Sequence, residues 1–245
     1  MLAQTLLGGL AIAGQSSDQC QACHQNPDFY AQNPKLYSYY QDWVNSPHAS
    51  SGLSCSSCHG GDPTVRDADK AHKGVLGTSA SKGMLYFKNQ PDTCGACHAD
   101  KAAQFKQSKH YKALQADRIA PTCTTCHRAM NRRPYFREIL VKACENCHNP
   151  ENKEHIPLVA EQAEQALQRL NIAKGYLGWT RVYYESQGWP GQSRCQIDAI
   201  STKYEEAVTG VHAFDLVKMH KSSTEILTEL KMIFQDAWDK RKEKQ

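Results

Sequence analysis

Five times in this chain a pair of cysteines spaced by two residues is followed at once by histidine. The copies are Cys20/Cys23/His24, Cys55/Cys58/His59, Cys94/Cys97/His98, Cys123/Cys126/His127 and Cys144/Cys147/His148. They use ten of the eleven cysteines and leave only Cys195. A disulfide framework needs no histidine, and a zinc site does not require one directly after every cysteine pair. Cys-x-x-Cys-His is the attachment signal for c-type haem: the two thiols add across the porphyrin vinyl groups and the histidine becomes the proximal iron ligand. Five covalently attached haem c groups are therefore expected. With one haem about every 30 residues between Cys20 and His148, no haem can own a domain. The core there must be largely porphyrin, which accounts for a hydrophobic content of only 40%.

Covalent haem attachment takes place outside the cytoplasm, so an exported protein is expected, whether periplasmic, membrane-associated or extracellular. Residues 1–17 read as a signal-like segment or a short apolar anchor. Leu2 to Ala13 is apolar and Ala11-Ile12-Ala13 resembles a cleavage site, but no basic stretch precedes it and the run is short for a membrane span. The formal charge of +4 changes once propionates and iron are counted, to about −1 with all haems oxidised and about −6 with all reduced. No nucleic-acid partner is expected, and the basic end "KRKEKQ" reads as a solvated helix terminus.

The expected fold is mainly α: a loop-rich multihaem core over residues 18–155, followed by long antiparallel helices over 156–245. Turn-forming loops such as "HGGDPTVRDADKAH" join short helices in the first region. In the second, Leu158, Val159, Ala163, Ala166, Leu167, Leu170 and Leu177 recur at helical spacing after Pro157, and "QGWPGQSR" breaks that helix. A second helix is expected from about Ile197 to Gly210. A third, from His212 to about Lys240, carries Leu216, Met219, Ile226, Leu227, Leu230, Ile233 and Phe234. This region reads as a helical cap on the haem core, or alternatively as a dimerisation or docking surface.

Each motif supplies one axial ligand. The second decides between an electron-transfer haem, with both positions filled, and a catalytic haem with one open. Six histidines lie outside the motifs: His48, His72, His110, His155, His212 and His220. "WVNSPH" and "FKQSKH" share the pattern aromatic-x-x-Ser-x-His, which marks His48 and His110 as distal ligands. His48 is expected to serve a haem other than that of His59. His72 follows a Gly-rich turn, His212 follows Gly210 and is expected to open the last helix, and His155 is tethered closely behind the fifth motif. These five are the expected distal ligands. His220 is expected to be the spare, about 80° around the helix from His212 and flanked by Lys218 and Lys221. Met84, Met130 and Met219 are read as packing, and Cys195 as a bystander thiol.

Together, the repeated motifs, the "WVNSPH" and "FKQSKH" signatures, "CHGGDPT…AH" and "TGVHAFDLV" resemble the multihaem cytochromes c. The nearest grouping contains hydroxylamine oxidoreductase, cytochrome c nitrite reductase and small tetrahaem cytochromes. That resemblance implies closely packed haems forming a path for electrons. All five motifs here end in histidine, whereas the nitrite reductases usually carry lysine at their catalytic haem, and no tyrosine identifies itself as a hydroxylamine-oxidoreductase crosslink. Membrane-anchored quinol dehydrogenases are another resemblance, with longer apolar N-termini. The leading expectation is an electron carrier of bis-histidine haems in a respiratory or extracellular chain, working with redox partner proteins, with a membrane complex or self-assembly as further partners. The alternatives are an oxidoreductase acting on a small nitrogen or sulfur species at one open haem, and a self-assembling extracellular cytochrome.

Overall fold

The computed structural model describes residues 18–128, 137–153 and 155–243, with only the backbone described at 137–139. The expected leader or anchor (1–17) and Met130 lie outside the described residues. The chain divides into two compact units, Met1–Leu76 and Gly77–Gln245. No strand occurs among the described residues.

The first unit holds six short helices: α1 (Gln19–His24), α2 (Pro27–Gln32), α3 (Pro34–Val44), α4 (Pro47–Ser50), α5 (Ser56–His59) and α6 (Ala68–Ala71). Local chemistry sets their starts. Pro27, Pro34 and Pro47 each open a helix where an amide proton would be unpaired anyway. The side chains of Asp18, Asn26, Ser46 and Asp67 accept hydrogen bonds from the first-turn amides of α1, α2, α4 and α6. Trp43 is the one buried apolar side chain described in this unit. Side chains alone do not make a core here.

The second unit begins with α7 (Gln90–Gly95), α8 (Ala99–Gln107), α9 (Lys109–Gln115), α10 (Cys123–His127) and α11 (Arg137–Glu145). Three longer elements follow: α12 (Val159–Ser186), α13 (Ser193–Gly210) and α14 (Leu216–Lys242). Consecutive helices reverse direction, so α12 and α14 run in parallel; successive contacts Arg169–His220, Tyr176–Phe234 and Trp179–Trp238 advance along both. Their shared core includes Leu170, Ala173, Leu177, Ile197, Ile200, Tyr204, Ile226 and Leu230. Recurrence every three or four residues puts these side chains on one stripe of each helix. Asp215 caps α14 by accepting from the Lys218 amide at 3.0 Å, and Lys240, Arg241 and Lys242 end it where cations complement the helix dipole.

The structure corrects three details of the sequence reading. Leu158 precedes α12 in a left-handed conformation (φ 60°) and is exposed rather than part of the apolar stripe. His212 does not open the last helix. It sits in a 3-10 turn, Val211–Ala213, and Phe214 at φ 56° breaks the chain before α14. The angular comparison with His220 on one helix therefore does not apply. Met84 is 42% exposed and does not pack, whereas Met219 is buried.

Leu230 is fully buried between the long helices. Leu230→Ala should destabilise the second unit by about 2–5 kcal/mol, measured by chemical denaturation followed through the helical circular dichroism. A loss below about 1 kcal/mol would mean that this core is not the unit's structural base.

Candidate haem-binding sites

In the first unit the Gly-rich turn after His59 does the positioning. Gly61 has φ +82°, and a Cβ there would lie 2.5 Å from the Ala71 carbonyl oxygen and 2.7 Å from Val75. Only glycine lets the backbones approach this closely. The Asp62 amide donates to Ala71 O at 2.9 Å, while the Gln19 amide donates to Pro63 O at 2.8 Å. One loop thus holds the end of α6 beside the start of α1. His72 and His24 are brought together, ring centroids 6.2 Å apart with planes at 63°.

Two further pairs lie in the second unit. His127, closing α10, faces His212 at 6.2 Å with nearly parallel rings (4°). His148 faces His110 at 5.9 Å and 55°. An imidazole nitrogen bonds a metal at about 2 Å, so two imidazoles on opposite sides of one ion have centroids about 6.3 Å apart. All three pairs match that span, and each joins one motif histidine to one histidine outside the motifs. No group of three or more histidine, cysteine or acidic side chains among the described residues is arranged to hold a metal ion. A pair of this span fits a two-ligand axial site, for which a porphyrin would supply the equatorial nitrogens.

Hydrogen bonds fix the tautomers. His72 Nδ1 lies 2.8 Å from Ala68 O and His212 Nδ1 lies 3.1 Å from Thr209 O. A carbonyl only accepts, so Nδ1 carries the proton in both rings and Nε2 is the unprotonated nitrogen, the form that binds a metal. Partial desolvation keeps His24, His59, His110, His127 and His212 below the ordinary histidine pKa, with neighbouring histidines adding to the effect at His24, His110 and His127. Neutral imidazoles are the ligating form.

The aromatic-x-x-Ser-x-His signature has a structural counterpart. Trp43 and Phe105 are buried near the ends of α3 and α8; Ser46 and Ser108, also buried, cap α4 and α9 through their hydroxyls. His48 and His110 each stand at the second position of the capped helix.

The cysteines follow the same layout. Cys20 and Cys55 are close enough to interact in the first unit. In the second, the Cys94 and Cys123 thiols are hydrogen-bonded and Cys126 lies near Cys144. The third, fourth and fifth attachment points are therefore neighbours in chain order. Burial and the adjacent Asp18 push the Cys20 thiol up to about 12, and burial with nearby acidic groups pushes Cys144 to about 11. No disulfide joins any of the cysteines, and Cys195 lies exposed on α13.

His220 behaves differently from the paired histidines. Its Nε2 donates to Gln162 O at 2.9 Å, and its Nδ1 accepts from Arg169 at 3.1 Å. Both nitrogens are committed to tying α14 to α12, which sequence reasoning missed because the partners lie far back in the chain. His155 is exposed in the turn after α11, its amide bonded to Asn152 O.

The chain is similar to the protein described as C-type polyheme cytochrome OmcB in two strains of Geobacter sulfurreducens, DL-1 / KN400 and PCA. Identity is 33% over 129 residues, 49% of this chain and 14% of the relative, in both comparisons. The chain thus matches only a small part of these curated relatives. No family model matches the chain, and no solved structure matches it. With the five attachment motifs and the paired imidazoles, this likeness supports a multihaem c-type cytochrome involved in electron transfer.

Ring orientation has a spectroscopic consequence. Parallel axial imidazoles split the iron d orbitals and give ferric low-spin haem a rhombic paramagnetic resonance signal; crossed rings leave a single strongly anisotropic feature. His212→Ala should remove a rhombic signal, and His72→Ala and His110→Ala should each remove an anisotropic one. Gly61→Ala should act like His72→Ala. His220→Ala should change no low-spin signal while costing about 1 kcal/mol of stability. A rhombic signal lost with His72, or a low-spin signal lost with His220, would contradict the pairings.

Proposed function

We propose that this chain is a pentahaem c-type cytochrome that passes electrons along bis-histidine haems and catalyses no reaction of its own on a small substrate. The observation carrying this reading is that three motif histidines each face a histidine from outside the motifs at 5.9–6.2 Å. A haem held by two protein ligands has no open position for substrate. Bound haem c supplies a one-electron ferric/ferrous couple at each site.

The polypeptide's part is to hold and space these couples. Cys20, Cys23, Cys55, Cys58, Cys94, Cys97, Cys123, Cys126, Cys144 and Cys147 provide the thioether anchors. His24, His59, His98, His127 and His148 are the proximal ligands, and His72, His212 and His110 close three of the sites. His48 and His155 are proposed as the ligands for the two remaining haems. With Cys94 beside Cys123 and Cys126 beside Cys144, haems bound at the third, fourth and fifth motifs would be neighbours, as outer-sphere transfer requires. Buried Gln90 supports this spacing by accepting from the Thr124 hydroxyl at 2.9 Å, which ties α10 to α7.

Placement in the superfamily of hydroxylamine oxidoreductase and nitrite reductase rests on the signature segments alone. An exported protein follows from where haem is attached, and no helix among the described residues is long and apolar enough to cross a membrane. The proposed partners are redox proteins that give and take electrons.

Intact mass should exceed that of the polypeptide by five haem units, and the dithionite-reduced protein should bind no carbon monoxide. Carbon monoxide binding at one haem in the wild type would favour an open, catalytic site and overturn the carrier reading.

A further inference from the structure

The three described axial pairs differ in the surroundings of the non-motif ring. His72 caps the C-terminal end of α6, and His212 follows the C-terminal end of α13. Carbonyl oxygens are left over at helix C-termini, and each ring's Nδ1 bonds one of them, Ala68 O or Thr209 O. His110 instead sits in the first turn of α9, where unpaired backbone groups are donors rather than acceptors. The nearby Ser108 hydroxyl is engaged with the Tyr111 amide. His110 Nδ1 is buried with no hydrogen-bond partner among the described residues, and its ring packs edge-on against Phe214, centroids 4.6 Å apart.

A ligand histidine that donates its second N–H to a carbonyl becomes more basic and gives more charge to the metal, which favours the ferric state. At His110 that carbonyl is missing and Nδ1 has no partner among the described residues. We propose that the site formed by His110 and His148 has the highest reduction potential of the three described pairs. Of these three sites it would then be the first to accept an electron from a one-electron donor, a reduced redox protein, converting ferric to ferrous iron with no bond made or broken. This inference rests on the bis-histidine reading. The pair His24/His72 is a close control, since its planes cross at 63° against 55° for His110/His148.

The test is a potentiometric titration of the haem-loaded protein with dithionite, followed by paramagnetic resonance. His110→Ala, His72→Ala and His212→Ala assign the low-spin signals by their loss. A Cys144→Ala/Cys147→Ala double variant, with no covalent haem at the fifth motif, assigns the same signal if His110→Ala fails to fold. The His110-dependent signal should disappear at a higher potential than the other two. Its disappearance together with them, or after them, overturns the ranking while leaving the ligand pairs intact. If neither His110→Ala nor the double variant removes a low-spin signal, the bis-histidine reading of this site fails, and the ranking with it.

Discussion

The separation between paired imidazoles governs this structure. Two rings at 5.9–6.2 Å are too far apart to bond each other and leave room between their nitrogens for one metal ion in a flat macrocycle. They suit a single ion bonded on both sides. Holding each pair takes a loop or helix end from elsewhere in the chain, and those requirements explain much of the architecture. The close approach at Gly61 delivers His72 to His24. The break at Phe214 leaves His212 in a short turn opposite His127.

The two kinds of core in the chain follow from that division of labour. The first unit buries one apolar side chain among its described residues, a composition that gains stability only when a large apolar cofactor is enclosed. The C-terminal helices bury Leu170, Ile197, Ile200 and Leu230 among themselves and do not depend on a cofactor in the same way. Their contribution reaches beyond covering a surface, because the turn between α13 and α14 carries His212. The His220 link from α14 to α12 stiffens the frame from which that turn projects.

Much of this was legible in the chain itself. Cys-x-x-Cys-His names its cofactor through covalent chemistry, and the long helices declare themselves through Leu170, Leu177, Ile226 and Leu230 at regular spacing. The repeated aromatic-x-x-Ser-x-His pattern also had a local meaning: a buried ring, a capping serine and a histidine in the next helical turn. What the chain could not disclose was tertiary. His72 pairs with the first motif rather than with a neighbour because a loop folds back through Asp62 and Pro63. Lys218 and Lys221 suggest a solvent-facing His220, yet its ring is bonded at both nitrogens to groups on another helix. Similarly, the start of the last helix was misplaced because a single left-handed residue, Phe214, leaves no mark in hydrophobic periodicity.

The proposal that iron is held between two histidines carries everything built on these pairs. Near-infrared magnetic circular dichroism of the fully ferric protein tests it directly, because the ligand-to-iron charge-transfer band moves with the identity of the axial pair. Only the band of low-spin bis-histidine haem is expected, with an intensity equal to five haems per chain. A histidine–methionine band, or a high-spin band worth one haem or more, would contradict it.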